Sequence, residues 1–211
     1  MTTTADPAVE EVETPHGPAR VHLHAAGTPR AGLALGHGAG GGVGSRDLEL
    51  ATRVGRELGV SVALVEQPYR VAGRRGPSPA RQLDAAWTAV MAHLRAGSFA
   101  GVPLIAGGRS SGARVACRTA EAVGAAGVLC LAFPLVPPGR TERPSRLPEL
   151  EAVAVPALVV QGERDPFGIP PEGPSRRVVL VAGDHALRSD AAGLTAAVRG
   201  WLEELLGPPG R

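Results

Sequence analysis

Apolar residues arrive in this chain as short runs separated by longer amphipathic stretches. Residues 32–35, 60–65, 104–107, 127–133, 157–160 and 178–181 are near-continuous apolar runs of strand length. Between and after them, residues 46–58, 79–96, 113–123 and 189–206 repeat apolar positions at helical spacing. In the last of these, Leu194, Val198, Trp201, Leu202 and Leu205 fall on one face. Strands that are apolar on both faces and alternate with helices predict a mostly parallel central sheet covered by helices on both sides.

Two earlier segments follow a different pattern. Residues 9–14 and 20–25, joined by Pro15-His16-Gly17-Pro18, predict a pair of strands. In the second, Val21, Leu23 and Ala25 share one face while His22 and His24 share the other, which reads as a half-exposed antiparallel strand with a solvent-facing edge. Two histidines at that spacing can grip a metal, but the nearby sequence suggests no third ligand, so no metal is expected. Residues 1–8 read as a disordered N-terminus, 9–206 as one domain and 207–211 as a flexible C-terminus. The Pro- and Arg-rich stretch 134–150 is too short for a cap domain and predicts an ordered loop with one helical turn at 149–153.

Composition narrows the picture modestly. A chain of 211 residues suits one well-buried α/β domain. All 22 basic residues are arginine, and neither lysine nor asparagine occurs, a bias of the kind a GC-rich genome imposes. The formal charge of +2 and the scattered arginines give no nucleic-acid footprint. The first residues carry Asp6, Glu10, Glu11 and Glu13 with no apolar stretch behind them, and no run reaches membrane-spanning length. The expectation is a cytoplasmic protein with no membrane partner. Cys117 and Cys130, in apolar helix and strand contexts, then read as reduced packing residues.

Chemistry enters at Gly108-Arg109-Ser110-Ser111-Gly112, a G-x-S-x-G string set where an apolar run gives way to a helix. That context is the nucleophile elbow. Small neighbours permit a sharp strand-to-helix turn, and the turn presents the serine hydroxyl above the sheet. Two later strands end in Gly162-Glu163-Arg164-Asp165-Pro166-Phe167-Gly168 and Gly183-Asp184-His185-Ala186. The order Ser, acid, His follows, with each side chain just past a strand's C-terminal end. Ser110 is read as nucleophile, His185 as general base and Asp165 as the acid that orients it. Glu163 and Asp184 compete for the last role, although Asp184 adjoins His185, and neighbouring side chains on a turn diverge.

Gly36-His37-Gly38-Ala39-Gly40-Gly41-Gly42 also follows a strand and precedes a helix. It fits a G-x-G-x-x-G dinucleotide fingerprint, with Glu66 near the end of the next strand. It fits equally an oxyanion loop, in which backbone N–H groups of Ala39 and Ser111 receive developing negative charge. The oxyanion reading also accounts for Ser110, Asp165 and His185, so no cofactor is expected. Tyr69, Arg109, Leu135 and Phe167 follow strand ends and are expected to contact substrate. Arg70, Arg74, Arg75 and Arg109 either bind an anionic group or are solvated loop residues.

Taken together, His37-Gly38-Ala39-Gly40, Gly-Gly-Arg-Ser at 107–110, Phe-Pro-Leu at 133–135 with Pro-Pro-Gly at 137–139, Gln-Gly-Glu-Arg-Asp-Pro-Phe-Gly at 161–168 and Gly-Asp-His at 183–185 form a set. The set resembles the small, cap-less α/β-hydrolase family related to dienelactone hydrolases, which includes testis-expressed and NSL-complex-subunit-like predicted hydrolases. The resemblance implies an α/β-hydrolase fold without a cap domain and carries nucleophile, acid and base onto Ser110, Asp165 and His185. Two departures stand out. The family often has Met-Gly-Gly after the serine where this chain has Ser111-Gly112-Ala113, and dienelactone hydrolases proper use cysteine, so their substrate does not carry over. The expectation is a serine hydrolase acting on a small-molecule acyl substrate, an ester or thioester. The alternative is a scaffold or binding protein that keeps the fold without turnover.

Overall fold

A computed structural model describes residues 6–137 and 144–208. Most of the expected N-terminal tail, Pro138 and Gly139 of the Pro-Pro-Gly string, and the last residues of the expected C-terminal tail lie outside the described residues.

Eight strands build one sheet: β1 (Ala8–Val12), β2 (Ala19–His24), β3 (Ala31–Gly36), β4 (Val60–Glu66), β5 (Leu104–Arg109), β6 (Gly127–Leu131), β7 (Ala157–Gly162) and β8 (Arg176–Val181), in spatial order β1-β2-β4-β3-β5-β6-β7-β8. The strands from β3 to β8 run parallel, while β2 is antiparallel to both β1 and β4. The helices are α1 (Arg46–Glu57), α2 (Pro68–Val71), α3 (Ala80–Ala96), α4 (Ser111–Thr119), α5 (Leu147–Glu151) and α6 (Ala191–Leu206).

Alternation along the strands sorts the core into two layers. Leu33 and Leu35 of β3 and Val60, Val62 and Leu64 of β4 pack with Leu48 and Val54 of α1 and Trp201 and Leu202 of α6. Their neighbours Ala34, Ala63 and Val65 face the opposite layer, with Trp87 of α3 and Val115 of α4. Trp87 and Phe99 are wholly enclosed there, each contributing about 2–3 kcal/mol by burial. Helix α1 is charged to match its dipole, with Asp47 and Glu49 in the first turn and Arg56 in the last. It ends where Gly59 takes φ +75°, a turn that costs a residue with a Cβ.

The structure differs from expectation in four places. Strand β2 is not at the edge; β1 covers it, and His22 Nε2 lies 3.2 Å from Glu66 Oε2 of β4. Residues 68–71, expected as loop, form α2, because Pro68 at a first helical position has its φ preset. Helix α4 starts at Ser111 and stops at Thr119, earlier at both ends than its apolar pattern. The turn expected at 149–153 is α5, two residues earlier and begun around Pro148, and it is the one helix between β6 and β7 among the described residues. Cys117 on α4 and Cys130 on β6 are buried free thiols whose Sγ atoms lie 3.5 Å apart. Among the described residues, no helix is long and apolar enough to cross a membrane.

Candidate active site

Register decides what meets at the C-terminal edge of the sheet. Gly36 of β3 pairs with Gly108 of β5, so the glycine loop after β3 and the serine after β5 emerge side by side. Gly162 pairs with Val181, which brings the turns after β7 and β8 together. Among the described residues, the non-glycine residues with positive φ are Ser110 (51°), directly after β5, Ala132 (52°), directly after β6, and Leu187 (50°), in the turn between β8 and α6. Backbone strain is thus concentrated where side chains must be aimed.

Ser110 N–H donates to the Leu131 carbonyl at 2.9 Å, which ties the turn to β6. Ser110 Oγ stands 2.9 Å from His185 Nε2, and His185 Nδ1 stands 2.8 Å from Asp165 Oδ2. An ionised carboxylate can only accept, so Nδ1 carries the proton and Nε2 offers its lone pair to the serine hydroxyl. The Asp165 side chain has no exposed surface, whereas that of His185 is 16% exposed. Burying that carboxylate requires donors. Phe167 N–H supplies Oδ1 at 2.8 Å, and Gln161 Nε2, whose two hydrogens are shared among Asp165 Oδ2 at 2.8 Å and the Phe133 and Gly168 carbonyls, supplies Oδ2. Of the competing acids, Glu163 is exposed, and Asp184 Oδ1 is taken by the Ala186 N–H at 2.9 Å. The structure therefore brings Ser110, His185 and Asp165 into one chain of hydrogen bonds. Such a chain can move a proton from oxygen to nitrogen and stabilise the imidazolium that results.

The glycine loop is fixed from the far side. Gln67 N–H donates to His37 Nε2 at 3.1 Å, so His37 Nδ1 carries the proton and donates to the Gly38 carbonyl at 2.8 Å. Tyr69 Oη donates to the Ala39 carbonyl at 3.0 Å. Gly38 lies against the serine, since a Cβ built there would stand 3.7 Å from Ser110 Cβ. Ser111 is the first residue of α4, so its N–H has no carbonyl within the helix to bind.

Burial holds the His37 pKa below the usual 6.5, reinforced by the Arg70 charge and opposed by the Gly38 hydrogen bond and Glu66. His24 is lowered too, by burial and then by Arg56 and His22. A folded state that keeps these rings neutral loses stability as pH falls, because the unfolded chain takes up protons first. We expect the melting temperature to decline as pH drops from 6.5 towards the lowered folded values. In His37→Gln only the His24-linked part of that decline should remain; a decline identical to wild type would count against His37 as a source.

The four residues expected to contact substrate are distributed unevenly. Phe167 stacks on His185 with ring centroids 4.3 Å apart, and half-buried Leu135 lies in reach of Gly168 just beyond it. Tyr69 is 2% exposed and faces the loop. The Arg109 guanidinium is engaged by Asp47 and by the His185 carbonyl. Arg74 and Arg75 are exposed beyond α2. Sequence reading did not single out Asp47 or Gln161. Only their packing against Arg109 and Asp165 distinguishes them.

A cavity of about 240 Å³ opens between the glycine loop, Arg109, Ala186 and Arg188. A larger groove of about 600 Å³, lined by His24, Thr52, Arg56 and Leu64, lies between β2 and α1 and includes none of the three hydrogen-bonded residues. The smaller cavity is lined by the glycine loop, Asp47 and Arg109, next in sequence to Ser110, and the three hydrogen-bonded residues are not among its lining either.

The profile of a family described as alpha/beta hydrolase domain matches residues 29–192. No curated protein sequence matches the chain. Among solved structures, it is similar to a lid-less α/β serine hydrolase from Xanthomonas campestris at 20% identity and a TM-score of 0.74, over 98% of both chains. It is similar to Est1E from Butyrivibrio proteoclasticus at 14% identity and a TM-score of 0.79, over 94% of this chain and 98% of the other. A dienelactone hydrolase from Anabaena variabilis aligns at 15% identity and a TM-score of 0.70, over 95% of this chain and 97% of the other. At these identities the likeness is one of fold.

Proposed function

The chain belongs to the alpha/beta hydrolase domain family, and we propose that it is a serine hydrolase cleaving a small carboxylic ester or thioester through an acyl-serine intermediate. The reading rests above all on the continuous chain from Ser110 Oγ through His185 to buried Asp165, at 2.9 and 2.8 Å. Ser110 Oγ attacks the acyl carbon as His185 Nε2 takes its proton, and Asp165 stabilises the imidazolium while remaining ionised. The former carbonyl oxygen, now negative, is received by the N–H groups of Ala39 and Ser111, each such donor being worth about 3–4 kcal/mol in the transition state. His185 returns the proton to the leaving alcohol or thiol, then takes one from the water that releases the acid. Phe167 and Leu135 form an apolar wall for the substrate, and Tyr69 acts from behind by holding the Ala39 carbonyl.

A fluorophosphonate probe tests this reading directly. Wild-type protein should be labelled and should hydrolyse p-nitrophenyl acetate and butyrate faster than long-chain esters, and Ser110→Ala should lose labelling and turnover together. Folded wild-type protein that neither labels nor turns over would overturn the proposal in favour of a binding module.

A further inference from the structure

Asp47 is 1% exposed, in the first turn of α1, and an ionised carboxylate at that depth needs partners on both oxygens. Oδ1 accepts from Ser45 Oγ and from the Leu48 N–H, at 2.6 and 2.9 Å. Oδ2 accepts from Arg109 Nε at 3.2 Å. Arg109 is the last residue of β5, directly before Ser110, and its Nη2 donates to the His185 carbonyl at 3.1 Å. Its Nη1 lies against the glycine loop, where a Cβ on Gly38 would come within 2.7 Å of it. One guanidinium thus touches α1, the glycine loop and the turn that carries His185.

We infer that Arg109 and Asp47 form a charge-neutral clamp that holds the His185 turn in register with Ser110, both acting as positioning residues for the reaction proposed above. The planar fork of arginine suits the task, since it presents donors to a carboxylate and a carbonyl at once; the single ammonium of lysine cannot bridge both in this way. Asp47 has a second part in it. A bare guanidinium beside His185 would oppose the imidazolium that forms when the serine proton is taken, and the paired carboxylate cancels that field. The clamp then positions without penalising the charge it must tolerate. This assignment rests on the serine-hydrolase reading and gives Arg109 a role other than contact with substrate.

The test uses Arg109→Met, Arg109→Ala, Arg109→Lys and Asp47→Asn in the full chain, with folding checked by circular dichroism. Each variant should lose about 10- to 100-fold in kcat on a neutral short-chain ester while KM changes little, the size expected when a reacting group shifts by about an ångström. Millimolar guanidinium should restore part of the loss in Arg109→Ala. Arg109→Lys keeps a cation for Asp47, so it guards against a variant that merely fails to fold. The NMR signal of the His185 Nδ1 proton gives a readout that needs no turnover. It should be sharp in wild type and in Ser110→Ala, and should broaden in the clamp variants. Failure of the hydrolase reading would show as a wild type without activity, whereas failure of the clamp would show as folded variants with wild-type kcat and an unchanged proton signal. A loss confined to KM and to anionic esters would also overturn the clamp, because Arg109 would then be contacting substrate.

Discussion

Alanine at Ser110, at His185, or at both together is expected to lower kcat on a short-chain ester by one common factor of about 10⁶. In the proposed mechanism the two side chains share a single proton transfer across the 2.9 Å contact between Oγ and Nε2. Once one is gone, the other has nothing left to do. On the proposed mechanism, what survives is the contribution of the glycine loop and the start of α4, whose N–H groups would receive the developing oxyanion without reference to the serine. Asp165→Asn should cost less, about 10⁴-fold. Its amide would donate to Nδ1 and move the imidazole proton to Nε2, where it blocks acceptance from the serine. A single amide oxygen would also have to stand in for two carboxylate oxygens that now accept from Phe167 N–H and from Gln161. Burst and steady-state kinetics on p-nitrophenyl acetate, with each variant's fold checked, measure all four. Independent, multiplying losses at Ser110 and His185 would refute the shared transfer.

Gly112→Ala should be the most damaging small substitution in the fold, costing about 3 kcal/mol or more of stability. A Cβ there would stand 2.2 Å from the Gly36 carbonyl oxygen and 2.4 Å from its carbon. Those are backbone atoms of β3, which is buried along its whole length and paired on both sides, so they cannot move aside. The helix must lift instead, and Ser110 lifts with it. For a chain of this size the melting temperature should fall by about 10 °C. Gly40→Ala is the natural control: nothing lies within 4 Å of a Cβ at that position, and the stability change should stay within about 0.5 kcal/mol. Calorimetry on the two variants decides the matter, and equal melting temperatures would contradict the close packing of α4 on β3.

The contrast between these glycines shows what the chain discloses on its own terms. Apolar runs and helical spacing locate most elements to within a few residues, because burial on two faces leaves a continuous signature. The serine turn is legible because small residues must flank it. The short helix Pro68–Val71 is not, since four residues carry no periodicity. Nor is the interior position of β2, because the pattern of a strand exposed on one face is the same whether or not a neighbour hydrogen-bonds its flank. Asp47 looks like any acid in a helix's first turn, and Gln161 like the polar end of an apolar strand. The work of Asp47 depends on a partner far along the chain, 62 positions away at Arg109, as that of His37 depends on Gln67, 30 positions on. Such pairings exist only once the sheet order has been set.

The two thiols between α4 and β6 carry a practical consequence. The hydrogen bond shared with Cys117, together with complete burial, pushes the Cys130 thiol well above its usual range. Alkylating reagents attack thiolates they can reach, so the native protein shields both sulfurs. Modification then has to wait for the elbow helix to part from the sheet, and its rate counts those excursions. The chain thus contains its own clock for opening around Ser110, readable with iodoacetamide and a mass spectrometer, without any engineered label.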